Sequence, residues 1–149
     1  MNKESMNILA IDAHPDDIEY GCAGSLVKYR QQGHRIFLLV VTNGACKGDS
    51  KIRKQEQLEA ARIMDAEDVF FGDYPDTQLT CGRELIMFIE DIARKVQPDF
   101  AFVPSRRTHI RTTEPWRKPR YLPAGRSSRT CSITMACPRR TSHQAFLWI

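Results

Sequence analysis

The chain has 149 residues, 42 % of them hydrophobic, enough to bury one sizeable core, which makes a single domain the default and excludes a natively disordered class. No N-terminal apolar stretch resembles a signal peptide, and no apolar run is long enough to cross a bilayer. The net charge of +4 hides an asymmetry: residues 1–105 carry 12 Lys/Arg and 17 Asp/Glu, a net of −5, whereas residues 106–149 carry 10 Lys/Arg against Glu114 alone, a net of +9.

The elements follow in chain order. "MNILAID" (6–12) is a short apolar run suited to a buried strand. Gly21, Gly24 and Ser25 then open "SLVKYRQQG", a predicted helix that stops at Gly33, with His34 at its end. "RIFLLVVT" (35–42) is rich in branched and aromatic residues and predicts a second strand. The polar loop "NGACKGDS" (43–50) leads into "KIRKQEQLEAARIMDA", where Ile52, Leu58, Ala61 and Ile63–Met64 recur at roughly helical spacing. "EDVFFGD" predicts a third strand, "GRELIMFIEDIARKV" (82–96) an amphipathic helix, and "PDFAFVPS" (98–105) a fourth strand. After Ser105 no period of either kind persists, and composition predicts a basic, Pro/Arg-rich, loosely ordered tail over 106–149.

Strands alternating with helices predict an α/β layered domain with a mainly parallel sheet. Ligands of such sheets sit beyond the carboxyl ends of the strands. Asp12–Glu19, Thr42–Ser50, Asp73–Gln78 and the residues after Ser105 all fall at such ends. No GxGxxG or GxxxxGKS follows a strand, which argues against a nucleotide site. Five cysteines (Cys22, Cys46, Cys81, Cys131, Cys137) are odd in number, widely spaced and without a CxxC pair; they are expected to be reduced thiols in a cytoplasmic protein.

The first rim loop carries "AHPDDIEYG". Two adjacent carboxylates repel, and a histidine beside them needs a reason to be held there. A catalytic zinc takes three ligands from His and carboxylates and leaves one position for water. His14 and Asp17, three apart in a tight turn, suit one ion, with Asp16 facing the activated water as its base. The alternative is that Asp16 or Asp17 caps the next helix. Arg53 lies beside Lys51 and Lys54, which fits a solvated helix face as well as a binding role. Asp73 and Tyr74 fit either a rim contact or a turn.

"AHPDDIEYGCAGSL" resembles the N-terminal signature of the PIG-L/LmbE family of zinc-dependent N-deacetylases. The likeness continues through "VVTNGACKG", "RKQEQLEAARIM", "VFFGDYPD" and "PDFAFVPS", over residues 6–105. The resemblance implies a Rossmann-like three-layer fold, with Zn2+ (or another divalent ion) on His14 and Asp17, Asp16 as general base, and Arg53 and Glu19 on the substrate side. It implies hydrolysis of the acetamide of an N-acetylated amino-sugar, an N-acetylglucosaminyl-type conjugate, as the small-molecule partner.

The family's third ligand comes from a His-x-Asp-His motif after the fourth strand. Here the chain reads "THIRTTEPW", and His109 is the expected stand-in. Taking the last base of each codon with the first two of the next, Thr108 through Pro119 can spell Thr-His-Gln-Asp-His-Arg-Ala-Leu-Ala-Glu-Ala, which restores the motif and a following helix. Residues from about Arg106 onward are therefore expected to be an out-of-frame translation, which also explains the charge asymmetry. A rival from another class is a non-catalytic binding module whose basic tail, with Trp116 and Tyr121 to stack on bases, meets nucleic acid or an anionic surface, although it carries no nucleic-acid-binding motif.

Overall fold

Four apolar stretches do form parallel strands, and the computed structural model describes residues 5–103 and the strand at 146–148. The elements are β1 (Asn7–Asp12), α1 (Asp17–Gln31), β2 (Arg35–Thr42), α2 (Ser50–Ile63), β3 (Asp68–Tyr74), α3 (Arg83–Val96), β4 (Phe100–Val103) and β5 (Phe146–Trp148), with a 3-10 turn at Ala45–Lys47. The sheet order is β3-β2-β1-β4-β5 and every pairing is parallel. This is the doubly wound α/β arrangement. Between β1 and β4 the order reverses, which opens a crevice beyond the carboxyl end of β1.

Alternation along the strands splits the core into two faces. Ile8, Ala10, Ile36, Leu38 and Val40 pack with Ile18, Cys22 and Leu26 of α1 and with Ala61 of α2. Leu9, Ile11, Phe37, Leu39 and Val41 pack with Leu85, Ile89 and Val96 of α3 on the other side. Helices therefore cover both faces, in three layers. Each fully buried Ile or Leu contributes about 1.5–3 kcal/mol.

Two expectations about the helices are corrected. α1 starts at Asp17, not at Ser25, and runs through Gly21 and Gly24. Each glycine costs a helix about 1 kcal/mol, but Ile18, Cys22 and Leu26 fall on one buried face and outweigh it. Of the apolar residues at helical spacing in and just after α2, Ala61 and Met64 are buried as expected. Ile52 and Ile63, however, are 59 % and 72 % exposed, and Gln57 points inward in their stead. Phe146–Trp148 pairs in parallel with Ala101–Val103, and the rest of the tail lies outside the described residues.

His34 lies beyond the end of α1, buried, with its Nδ1 accepting from Met6 N at 3.2 Å. No described helix is long and apolar enough to cross a membrane. Cys22 and Cys46 are free thiols, but Cys81 is disulfide-bonded, which departs from the reading of reduced cysteines throughout.

Candidate active site

The loop after β1 is tied to β2 before it reaches its acidic residues. Thr42 donates to Ala13 O from both its amide and its hydroxyl, each at 2.8 Å. Asp16 then adopts a left-handed backbone, φ 88°, immediately before α1. Such a conformation costs a residue with a β-carbon about 1–2 kcal/mol. Asp16 occupies the N-cap position, yet its side chain makes no capping hydrogen bond. Asp17 Oδ2 instead accepts from His14 N, back toward the loop, at 3.2 Å. The helix-cap alternative therefore does not account for these carboxylates.

His14 sits between two carboxylates. Its Nδ1 is 3.0 Å from Asp17 Oδ2 and its Nε2 is 2.9 Å from Asp76 Oδ1. Asp76, in the loop after β3, also accepts from Cys46 N and Thr77 N. The hydrogen bond to Asp17 is the main cause that raises the His14 pKa; burial opposes it and Asp76 adds to it. For Asp76, burial pushes the pKa up, but the hydrogen bond and charge of His14 and the two amides bring it below the usual carboxylate value. Asp12, at the end of β1, is raised to about 7, chiefly by burial, with the Asp17 charge adding to it.

The sequence reading missed Asp76 and weighed its neighbours instead. Those have structural partners: Asp73 pairs with Lys54 at 3.1 Å, and the Tyr74 ring meets Phe88 edge-on. The available signal was position, since Pro75-Asp76 ends the third strand on the same rim as His14.

Arg53 does not lie on a solvated face. Its side chain is 12 % exposed; Nη1 donates to Gly44 O at 2.8 Å, and Nη2 donates to Pro15 O at 2.6 Å. Nη2 is also 3.1 Å from Asp16 Oδ2, a carboxylate that is 74 % exposed. Gly44 makes room for this, since a Cβ there would lie 2.5 Å from Nη1. Glu19 turns inward: Oε1 accepts from Gln57 Nε2, Oε2 is buried without a partner, and burial raises its pKa. Cys22 is buried and its thiol is pushed up to about 12, mainly by burial, so it is no thiolate ligand.

His14, Asp17 and Asp76 offer imidazole nitrogen and carboxylate oxygen, donors that suit zinc. His14 and Asp17 are close enough to share an ion. Among the described residues, however, no group of three or more His, Cys, Asp or Glu forms a cluster able to hold one. His109, with Trp116, Tyr121 and the rest of 106–145, lies outside the described residues.

Comparison with known proteins places this arrangement. An uncharacterized deacetylase, YaiS, of Escherichia coli is 37 % identical over 93 residues, 61 % of this chain and 50 % of that protein. The 4-oxalmesaconate hydratase of Pseudomonas putida is 25 % identical over 116 residues, 67 % of this chain and 44 % of that one. Among solved structures, the N,N′-diacetylchitobiose deacetylase of Pyrococcus horikoshii superposes with a TM-score of 0.66 at 27 % identity, over 73 % of this chain and 44 % of its own. The chain thus spans about half the length of the curated relatives it matches. The sequence model of the PIG-L family, described as GlcNAc-PI de-N-acetylase, matches residues 9–114, nine residues beyond Ser105. A family match over more than half of the chain settles the kinship: this chain belongs to the PIG-L family.

Proposed function

We propose that this chain belongs to a zinc-dependent hydrolase that removes the acetyl group from an N-acetylated amino-sugar conjugate. The observation that carries this reading is the His14–Asp17 pair at the crevice where the sheet order reverses, in a chain whose relatives include deacetylases. His14 and Asp17 would hold the ion. His109 is the stand-in for the third donor if the tail is native; if the tail is out of frame, the third ligand is missing and this exact chain is inactive. The metal supplies Lewis acidity toward the amide carbonyl and lowers the pKa of water.

Asp16, exposed on the rim, takes the proton of the attacking water and passes it to the departing amine. The C–N bond breaks to give acetate and a free amine. Arg53 and Glu19 act on the substrate side by holding the Asp16 loop in place, the role their contacts support. A cytoplasmic location rests on the free thiols Cys22 and Cys46 alone.

The test is metal content and acetate release from N,N′-diacetylchitobiose by the zinc-loaded chain. His14→Ala and Asp17→Ala should each lose the metal. Asp16→Asn should retain it and lower kcat by about 10²–10⁴-fold. Metal-free protein with no acetate release, in a chain whose reading frame through codons 100–125 is confirmed, would refute the reading.

The hydratase relative favours a second reading, addition of water to an activated double bond. Release of acetate with an equivalent of amine separates the two. For residues 106–149 we propose an out-of-frame translation. The nucleotide sequence across codons 100–125 decides it, and an uninterrupted frame through the tail would overturn it.

A further inference from the structure

Helix α2 buries a glutamine while it leaves Ile52 and Ile63 in solvent. Gln57 is 2 % exposed, and a buried amide is costly unless its hydrogen bonds are made. Here they are made to one target, the loop that carries Asp16. Oε1 accepts from Asp16 N at 3.2 Å, and Nε2 donates to Glu19 Oε1.

Arg53 stands four residues earlier on α2, one turn away on the same face. Its Nη2 donates to Pro15 O at 2.6 Å. Pro15 O and Asp16 N are the two polar ends of a single peptide unit. That unit is planar and rigid, so gripping both ends fixes its plane. The Asp16 φ of 88° is measured from that plane, and the direction of the Asp16 carboxylate follows.

We propose that Gln57 is a positioning residue, which with Arg53 clamps the Pro15–Asp16 peptide and so aims the Asp16 carboxylate at the rim. This inference rests on the reading of Asp16 as the base. A glutamine suits the task because one side chain must accept from the Asp16 amide and donate to Glu19 together. A leucine would fill the volume and could do neither.

The experiment compares the full chain with Gln57→Leu and Gln57→Glu. Amide hydrogen exchange is followed by NMR, and kcat and KM are measured for acetate release from N,N′-diacetylchitobiose with zinc. In Gln57→Leu the Asp16 amide should exchange at least roughly tenfold faster while the amides of β1 and β2 keep their protection. Its kcat should fall by about tenfold to a hundredfold with little change in KM, as expected when a reacting group is misplaced rather than substrate binding lost.

Gln57→Glu should behave like the wild type at acid pH, where the introduced carboxyl group is protonated and can still donate to Glu19. It should fail as that group ionises beside Glu19. A side chain that merely fills space would show no such pH-dependent rescue. Unchanged Asp16 protection in Gln57→Leu, or a pH-independent Gln57→Glu, overturns the proposal. If Gln57→Leu does not fold, Gln57→Glu carries the test. A wild-type chain that releases no acetate defeats the deacetylase reading instead, and the Asp16 amide then decides the clamp by itself.

Discussion

His14 Nε2 lies 2.9 Å from a carboxylate oxygen of Asp76, a residue 62 positions further along the chain. With Asp17 on the other ring nitrogen, this raises the His14 pKa above its ordinary 6.5. The stabilisation is complete below about pH 6.5 and is lost as pH rises through the higher folded value. His14 is 39 % exposed, so solvent screens the pair. Asp76→Asn should therefore cost the metal-free protein up to about 1 kcal/mol at pH 5.5 and less at pH 9. Urea unfolding at the two pH values measures it, and an equal loss at both would contradict the account.

Asp12 changes stability with pH in the same direction, but as a penalty incurred at high pH and not as a gain held at low pH. Its pKa of about 7, against 3.8 for the free group, means that the folded chain holds the proton more tightly than the unfolded one. Its contribution is most favourable below about pH 4, declines as pH rises toward 7, and is a full penalty above that. Asp12→Asn keeps the acceptor for Ala13 N and removes the charge. It should stabilise the metal-free chain at pH 8 by about 2–4 kcal/mol and change little at pH 4. Thermal unfolding against pH is the measurement.

Arg53 and Gly44 should be energetically coupled. Arg53→Ala leaves Pro15 O and Gly44 O without their charged donor and should cost about 2–3 kcal/mol. Arg53→Lys should not restore it, because an ammonium lacks the planar fork that reaches both carbonyls. Gly44→Ala drives a Cβ toward Arg53 and strains a backbone at φ 64°. In the Arg53→Ala background the backbone strain and a 3.0 Å approach to Pro15 Cδ remain, but the clash with the guanidinium is gone. A double-mutant cycle by urea denaturation should therefore show Gly44→Ala costing about 1 kcal/mol less there.

The orientation of α2 gives a direct contrast. Ile63 is 72 % exposed and Met64 is 4 % exposed. Ile63→Ala should lie within about 0.5 kcal/mol of wild type, and Met64→Ala should lose about 2–5 kcal/mol. Chemical denaturation of both variants checks which face is inward.

Much of this architecture follows from the sequence. Four apolar runs between polar, glycine-bearing loops define four strands in register with 6–12, 35–42, 68–74 and 98–105, and the period of α3 is clean enough to name its buried face. His14, Asp16 and Asp17 are also legible, because a histidine and two aspartates at a strand end have few ordinary uses. The inner face of α2 was not. Ile52, Leu58 and Ile63 point outward while Arg53 and Gln57 are held inward by groups of the Asp16 loop, and no periodicity of α2 alone encodes a partner on β1's loop.

Asp76 illustrates the same limit across a longer span. As a residue of a turn it has no mark, and it gains one only when parallel pairing brings the ends of β1 and β3 to one rim. The sequence by itself determined the layered α/β fold and the cluster of His14, Asp16 and Asp17 at the end of β1, since hydrophobic patterning and clustered charge are local properties. Tertiary structure alone decided which carboxylates flank His14, and that α2 holds the Pro15–Asp16 peptide. Those contacts join residues far apart in the chain, and their energies exist only once the backbone has brought them together.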